Sequence, residues 1–449
     1  MLAIVWKKYM EFSELGLHAS LLGAIVEAGY PNPTAVQQQA VPAALSGRDL
    51  MVSSQTGSGK TAAFMWPALN MLTADSAVKA RGPRVLVLTP TRELAIQVTD
   101  ACRKYGRGLR YAKAVSVVGG TSYVMQNKLL AQPYEVLVAT PGRLIDQMDS
   151  GRIDFGRLEM LVLDEADRML DMGFIEDIEA IVDRLPEKRQ TLLFSATFEP
   201  RVMRLAERLT KDAQRIEIQA TAAQHENIEQ RLLFADGMGH KQRLLDHLLR
   251  DEGVEQAIVF TATKRDADQI AEQLGENGFL AAALHGDMHQ GERNRTLGHL
   301  RRGALRVLVA TDVAARGIDV AGISHVINFD LPKSAEDYVH RIGRTGRAGR
   351  SGIAVSLASG DDVRRVKTIE RFIRHTIPVH TIPGLEPRVQ PRTSAPRGPR
   401  TGTGRPGSWG NKPGNGPRRP GGGGSGAPRG EGGWRGNGSG RNDRSRRAD

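Results

Sequence analysis

Short, almost unbroken apolar runs recur along this chain, spaced widely enough for a helix between them. They are "RVLVLTP" (84–90), "EVLVATP" (135–141), "LEMLVLDEAD" (158–167), "QTLLFSAT" (190–197), "QAIVFTAT" (256–263), "RVLVATD" (306–312), "HVINFD" (325–330) and "GIAVSLAS" (352–359). Most of the intervals show helical periodicity, as in "TRELAIQVTDACRKYG". Strands that alternate with helices imply βαβ units and a parallel sheet covered on both faces. Polar residues gather at the C-terminal ends of the runs, which is where open α/β sheets bind ligands. The pentapeptide "VLVAT" occurs at 136–140 and again at 307–311, and the stretch 218–230 is polar and lacks an apolar period. The expected organisation is α/β, with two tandem domains at 10–219 and 228–385, a linker at 220–227 and an extension at 1–9.

Charge is unevenly placed. From Pro387 to Asp449 there are 14 Lys and Arg against 3 Asp and Glu, leaving 48 against 47 before them. That tail, 386–449, is Gly, Pro, Arg, Ser and Asn with isolated Trp409 and Trp434. It has too little apolar surface to offset its chain entropy, so a disordered basic tail is expected, with diffuse affinity for polyanions such as RNA. The single Cys102 excludes an internal disulfide framework and a cysteine-based zinc site, and reads as a small buried hydrophobe. No apolar run reaches the roughly 18 residues of a membrane span. The start "MLAIVWKKYM" carries its charges after its apolar residues, the wrong order for a secretory signal, so a cytoplasmic location is expected.

"SSQTGSGKT" (53–61) follows the strand-like "RDLMVS" and precedes a helical pattern, the context of a phosphate-binding loop. Thr56, Gly57, Ser58 and Gly59 would wrap phosphates with backbone amides, aided by the helix N-terminus. Lys60 would reach the β- and γ-phosphates and Thr61 would face Mg²⁺. The strict pattern has glycine at position 54, where this chain has serine. "LVLDEAD" (161–167) delivers Asp164 and Glu165 at a strand end. One carboxylate would hold the metal largely through its water shell, and the other would orient an attacking water. The pair of motifs points to nucleoside triphosphate hydrolysis.

These motifs, with "PTRELA" (90–95), "TPGR" (140–143), "SAT" (195–197), "ARGID" (315–319) and "HRIGRTGR" (340–347), resemble the DEAD-box ATP-dependent RNA helicase family. They come in the family's order and span about 12 to 350. The start "FSELGL" and the Gly-rich basic tail resemble its bacterial RhlE-like branch. The resemblance implies two RecA-like domains and an RNA-dependent ATPase with ATP and Mg²⁺ as its cofactors.

It also implies roles. In "GYPNPTAVQ" (29–37), Gln37 would read the adenine edge, with Phe12 or Tyr30 stacking on the base. Without the other motifs, Gln37 reads as a glutamine capping the core. Asp319 would bind ribose. Ser195 and Thr197 would couple to Asp167 and His340. RNA would lie over Thr91, Arg92, Gly120, Thr140, Gly142 and Arg143 in the first domain, and over Gly286, Gln290, Arg293, Thr311 and Arg316 in the second. These are mostly small or hydroxyl residues suited to phosphate and 2′-OH contacts, so little sequence preference follows.

The run "HRIGRTGRAGR" (340–350) repeats arginine at every third position or so with no acid among them. Its few triplets in an α/β setting exclude collagen. By resemblance, Arg344 and Arg347 reach across to the γ-phosphate, a role worth up to ~10³–10⁵ in rate. Arg341 and Arg350 stay open as a basic RNA patch. Two other functions remain open, an ATP-gated RNA clamp or annealing chaperone, and a DNA helicase. Possible partners beyond RNA are ribosome-assembly or RNA-decay factors.

Overall fold

The computed structural model describes residues 10–54, 57–76, 78, 81–109, 112–218, 227–315, 320, 322–346 and 350–388. Two sheets organise them. The first holds β1 (Leu50–Ser53), β2 (Val85–Leu88), β3 (Ala114–Val117), β4 (Val136–Ala139), β5 (Met160–Leu163), β6 (Gln190–Ser195) and β7 (Gln214–Glu217), in the order β3-β4-β2-β5-β6-β1-β7. The second holds β8 (Ile228–Phe234), β9 (Ala257–Thr261), β10 (Ala281–Leu284), β11 (Val307–Thr311), β12 (His325–Asn328) and β13 (Gly352–Ala358), in the order β10-β11-β9-β12-β13-β8. All these pairings are parallel. The architecture is the expected one of two parallel α/β lobes.

Alternate residues of a strand point to opposite sheet faces. In the first lobe Val85, Val87, Val136, Val138 and Val162 enter one buried cluster with Phe64 and Leu94. Leu86, Leu88, Leu137, Leu161 and Leu163 enter another with Ile178 and Leu205. The helices Lys60–Met71 and Arg92–Tyr105 therefore cover one face, and Ile175–Val182 and Pro200–Leu209 cover the other. With both faces dry, β2, β4 and β5 are apolar at every position. Each such side chain contributes on the order of 1.5–3 kcal/mol when fully buried. Cys102 lies in the first cluster, and burial pushes its thiol up to about 12, so it is an inert core residue.

Candidate functional site

Three neighbouring strands end at one edge of the first sheet. β1 and β6 finish level, with Ser53 opposite Ser195, and β5 lies on the other side of β6. Because the strands are parallel, the loops after all three converge there. Past β1, the Ser54 N–H donates to the Ser195 carbonyl at 3.1 Å, and the Ser54 and Ser58 hydroxyls are 3.0 Å apart. Lys60 is buried, and its Nζ donates to the Ser54 carbonyl at 2.7 Å. Gly59 turns the chain into the helix Lys60–Met71 with φ 90°, a conformation other residues resist. The loop therefore sits on a helix N-terminus that favours an anion, with an ammonium beside it and Thr61 in the first turn.

Gln37 completes a helix capping box with Thr34 and contacts the loop as well. Its Oε1 accepts the Thr34 N–H at 2.9 Å at the start of the helix Ala35–Leu45, and its Nε2 donates to the Gly59 carbonyl at 3.2 Å. An amide has two lone pairs and two N–H donors, so each end keeps capacity for one more bond. Phe12 packs edge-on against Trp66, and Tyr30 bonds the Tyr105 hydroxyl at 2.9 Å while remaining partly exposed.

The carboxylates follow β5. Asp164 is buried, and its Oδ1 has no hydrogen-bond partner among the described residues. Burial and then the neighbouring Glu165 push its pKa up to about 7, against the pull of Lys60. An orphaned, buried carboxylate oxygen of this kind fits a cation. Glu165 has left-handed backbone, φ 55° and ψ 54°, which costs a non-glycine residue about 1–2 kcal/mol. Strain of this sort collects at functional sites. Burial also raises the Glu165 pKa, opposed first by Lys60 and then by Arg344. A cation from each lobe therefore acts on this one carboxylate.

Asp167 joins the acid pair to β6. Its Oδ2 accepts the Ala196 and Thr197 N–H groups at 3.0 and 3.3 Å, and its own N–H donates to Ser195 Oγ at 3.4 Å. From the second lobe, His340 lines a crevice with Asp167, Thr197, Ser334 and Asp337. Burial lowers its pKa to about 4, with Asp167 opposing and Lys60 and Arg344 reinforcing the shift. Arg344 Nε donates to the His340 carbonyl at 3.2 Å.

The arginine run needs one correction. Arg341 is not part of a basic RNA patch, because it is only 2% exposed. Its Nε and Nη2 hold Asp312 at 2.6 and 2.8 Å, and its Nη1 donates to Asn328 Oδ1 and the Asp330 carbonyl at 3.2 and 2.6 Å. No acid lies within the run, but the fold brings one from the end of β11. Arg350 is exposed. Thr56, Arg316, Asp319 and Arg347 lie outside the described residues, as do the extension 1–9, most of the linker and the tail beyond Arg388.

Residues 34–205 match the DEAD/DEAH box helicase model, and residues 240–349 match the helicase conserved C-terminal domain. The ATP-dependent RNA helicase SrmB of Escherichia coli (strain K12) is 42% identical over 392 residues, 87% of this chain and 87% of SrmB. This chain belongs to the DEAD/DEAH box helicase family. The ATP-dependent RNA helicase DeaD of Mycobacterium tuberculosis (strain ATCC 25618 / H37Rv) is 44% identical over 84% of this chain, which spans only 65% of that protein's length. Among solved structures, S. cerevisiae Dbp5 bound to RNA and ADP BeF3 is similar with a TM-score of 0.74 and 31% identity, over 83% of this chain and 95% of that one. Mss116p bound to ssRNA and AMP-PNP is similar with a TM-score of 0.76 and 28% identity, over 84% of this chain and 80% of that one.

In this DEAD/DEAH box protein two of the residues expected to meet RNA, Arg92 and Gln290, touch across the lobes. Thr91 caps the helix Arg92–Tyr105, its Oγ1 accepting the Leu94 N–H at 3.3 Å. Arg92 reaches the other lobe, with Nη1 2.8 Å from Gln290 Oε1, and lies so close to Gly120 that a Cβ there would sit 2.0 Å from Nη1. Thr140 and Gly142 stand at the start of the helix Pro141–Asp149. Arg143 donates to the Thr121 carbonyl at 2.9 Å. Gly286 is exposed, and Thr311 ends β11 half-buried. Arg293 departs from expectation. It is 8% exposed, its Nη2 and Nε hold Glu93 Oε1 at 2.5 and 3.1 Å, and its Nη1 donates to the His285 carbonyl at 3.1 Å. Its guanidinium is committed to a tie between the lobes, not left for a phosphate. Glu93 and Asp312 were passed over in the sequence. Each adjoins a residue singled out for RNA, and an acid beside such a residue was the available signal.

Proposed function

We propose that this chain is an ATP-dependent RNA helicase that separates short duplexes locally, with domains at 10–219 and 228–385. One observation carries the reading. His340 of the second lobe, whose carbonyl accepts Arg344 Nε, lines one crevice with Asp167 and Thr197 of the first, so the hydrolytic site is complete only while the lobes meet. Relatives named as ATP-dependent RNA helicases support it. The spare donor and acceptor on Gln37 match the adenine edge, which favours ATP. Glu165 accepts a proton from the attacking water, and Lys60 and Arg344 offset charge building on the phosphates. Arg347, Asp319 and Thr56 join this site by family likeness. Mg²⁺, held by Asp164 and Thr61 largely through water, would supply further neutralisation of phosphate charge.

RNA crosses both lobes along Thr91, Arg92, Gly120, Thr140, Gly142 and Arg143, then Gly286, Gln290, Thr311 and Arg316. ATP and RNA each touch both lobes, so each favours the closed form that the other favours, and the coupling is reciprocal. Closure holds one strand away from its partner, and hydrolysis releases it. A cytoplasmic location and partners among ribosome-assembly or RNA-decay factors belong to the same reading.

The test is RNA-stimulated ATP turnover and strand separation on a short RNA duplex. Glu165→Gln is expected to lower turnover at least ~10²-fold while keeping RNA bound in the presence of ATP. Fast hydrolysis by that variant, or greater stimulation by DNA than by RNA, would refute the reading. Strand separation by the full chain and by one ending at Glu386 separates a helicase from a clamp whose tail does the work.

A further inference from the structure

The helix Tyr123–Leu130 turns an apolar surface to water. Val124 is 63% exposed and Met125 59%, and Tyr123 and Leu129 are exposed beside them, while only Gln126 and Leu130 are buried. Contiguous exposed apolar side chains on a folded surface mark a place where something binds. This helix has no acid and carries Lys128. It also adjoins the RNA row directly. Gln290 meets Arg92, Arg92 lies on Gly120, and Arg143 donates to Thr121 one residue on. The Arg143 guanidinium stands 4.0 Å from the centre of the Tyr123 ring, and the Tyr123 hydroxyl donates to Asp146 at 2.7 Å. The ring is thus held in place by a cation on one side and a carboxylate at its tip.

We propose that Tyr123, Val124, Met125 and Leu129 form a shelf for the nucleobases of single-stranded RNA that runs on past the phosphate row. The proposal rests on the RNA reading above. The row meets phosphates and small backbone groups, which leaves bases unrecognised. An aromatic ring and flexible apolar chains beside two cations suit unstacked bases, whose faces are apolar and whose backbone is anionic. Met125 and Leu129 lie one helical turn apart on the same side, and Val124 lies between that side and Tyr123. Asp146 pairs with Arg143 at 3.4 Å, so it is Lys128 on an acid-free helix and continuity with the phosphate row that favour RNA over a protein as occupant.

Binding of oligoribonucleotides by the full chain, measured by fluorescence anisotropy with a non-hydrolysable ATP analogue, tests this. All oligonucleotides share one core and differ only in flanks of uridines or of abasic residues. The wild type is expected to bind the uridine-flanked strand about fivefold or more tightly than the abasic-flanked strand. Tyr123→Ala with Met125→Gln is expected to remove that difference. Equal affinity of the wild type for both strands, while the core strand still raises ATP turnover, overturns the shelf and leaves the helicase reading standing. Failure of every RNA to raise turnover overturns both. Self-association of the wild type that Met125→Gln abolishes would show a protein-facing surface and overturn the shelf. The wild-type comparison needs no variant, so a folding defect in the double variant leaves the test intact.

Discussion

Arg293 of the second lobe grips Glu93 of the first, two of its nitrogens lying 2.5 and 3.1 Å from a single carboxylate oxygen, with both side chains buried. Arg92, the residue next to Glu93, also crosses to the second lobe, at Gln290. One helix start in the first lobe thus provides two adjacent links, one ionic and one neutral at its far end.

Loss of the ionic link should act on closure more than on folding, since separated lobes let water reach both groups. Glu93→Gln is expected to cut the closed-to-open ratio by roughly 10- to 150-fold, the range for about 1.5–3 kcal/mol from a hydrogen bond to a charged group. Interlobe fluorescence transfer with RNA and an ATP analogue would read this. The exchanged pair Glu93→Arg with Arg293→Glu is expected to recover part of the loss.

Gly120 has φ 69° and stands against Arg92. Gly120→Ala is expected to destabilise the first lobe by about 1–2 kcal/mol through left-handed backbone strain. It should also push Arg92 off Gln290 and weaken RNA binding. Gly119 has an ordinary φ, and a Cβ there meets Arg92 only at 3.3 Å, so Gly119→Ala should do much less. Urea unfolding and RNA titration on the two variants check the contrast.

Arg341→Met removes the partner of Asp312 and two further acceptors. A cost of about 3 kcal/mol in the second lobe is expected, at the low end for a broken buried pair because Asp312 keeps some contact with water. The salt dependence of RNA binding should not change. A fall in slope of about 0.7 would instead mark Arg341 as a phosphate contact.

Acid should loosen the lobes through His340. Its pKa between them is lowered to about 4 from the ordinary 6.5, and separation returns it to water. Above about pH 6.5 the ring is neutral in both forms, and closure carries no penalty. As pH falls from 6.5 towards 4 the separated form gains a proton that the closed form excludes, so closure weakens through that window. Asp167 and Asp337 face the ring and favour its proton, while Lys60 and Arg344 oppose it. Interlobe fluorescence transfer from pH 7.5 to 5 should show the loss, and His340→Gln should flatten that part of the profile.

The strands legible in the sequence are the inner ones. β1, β2, β4, β5 and β6 in one sheet, and β9, β11, β12 and β13 in the other, are covered on both faces and read as apolar runs. β3, β7, β8 and β10 did not stand out, and each is a sheet edge. An edge strand such as "QRIE" is half wet, so only Ile216 marks it as part of a fold. β8 even begins inside the polar stretch expected to separate the domains. The phosphate loop and acid pair were equally legible, because backbone wrapping and carboxylate placement need particular residues next to one another in the chain. Arg341 and Arg293 were not, since their partners lie 29 and 200 residues away. Whether an arginine faces water or a distant acid is a property of the fold.

β6 separates β1 from β5, so the phosphate loop and the acid pair sit two strand spacings apart, about 10 Å. Hydrogen-bonded ladders on both sides of β6 fix that interval like a machinist's gauge, whatever the second lobe is doing. On the function proposed above, timing of the chemistry then belongs to the second lobe, and surfaces that steer it are where a regulator would have leverage.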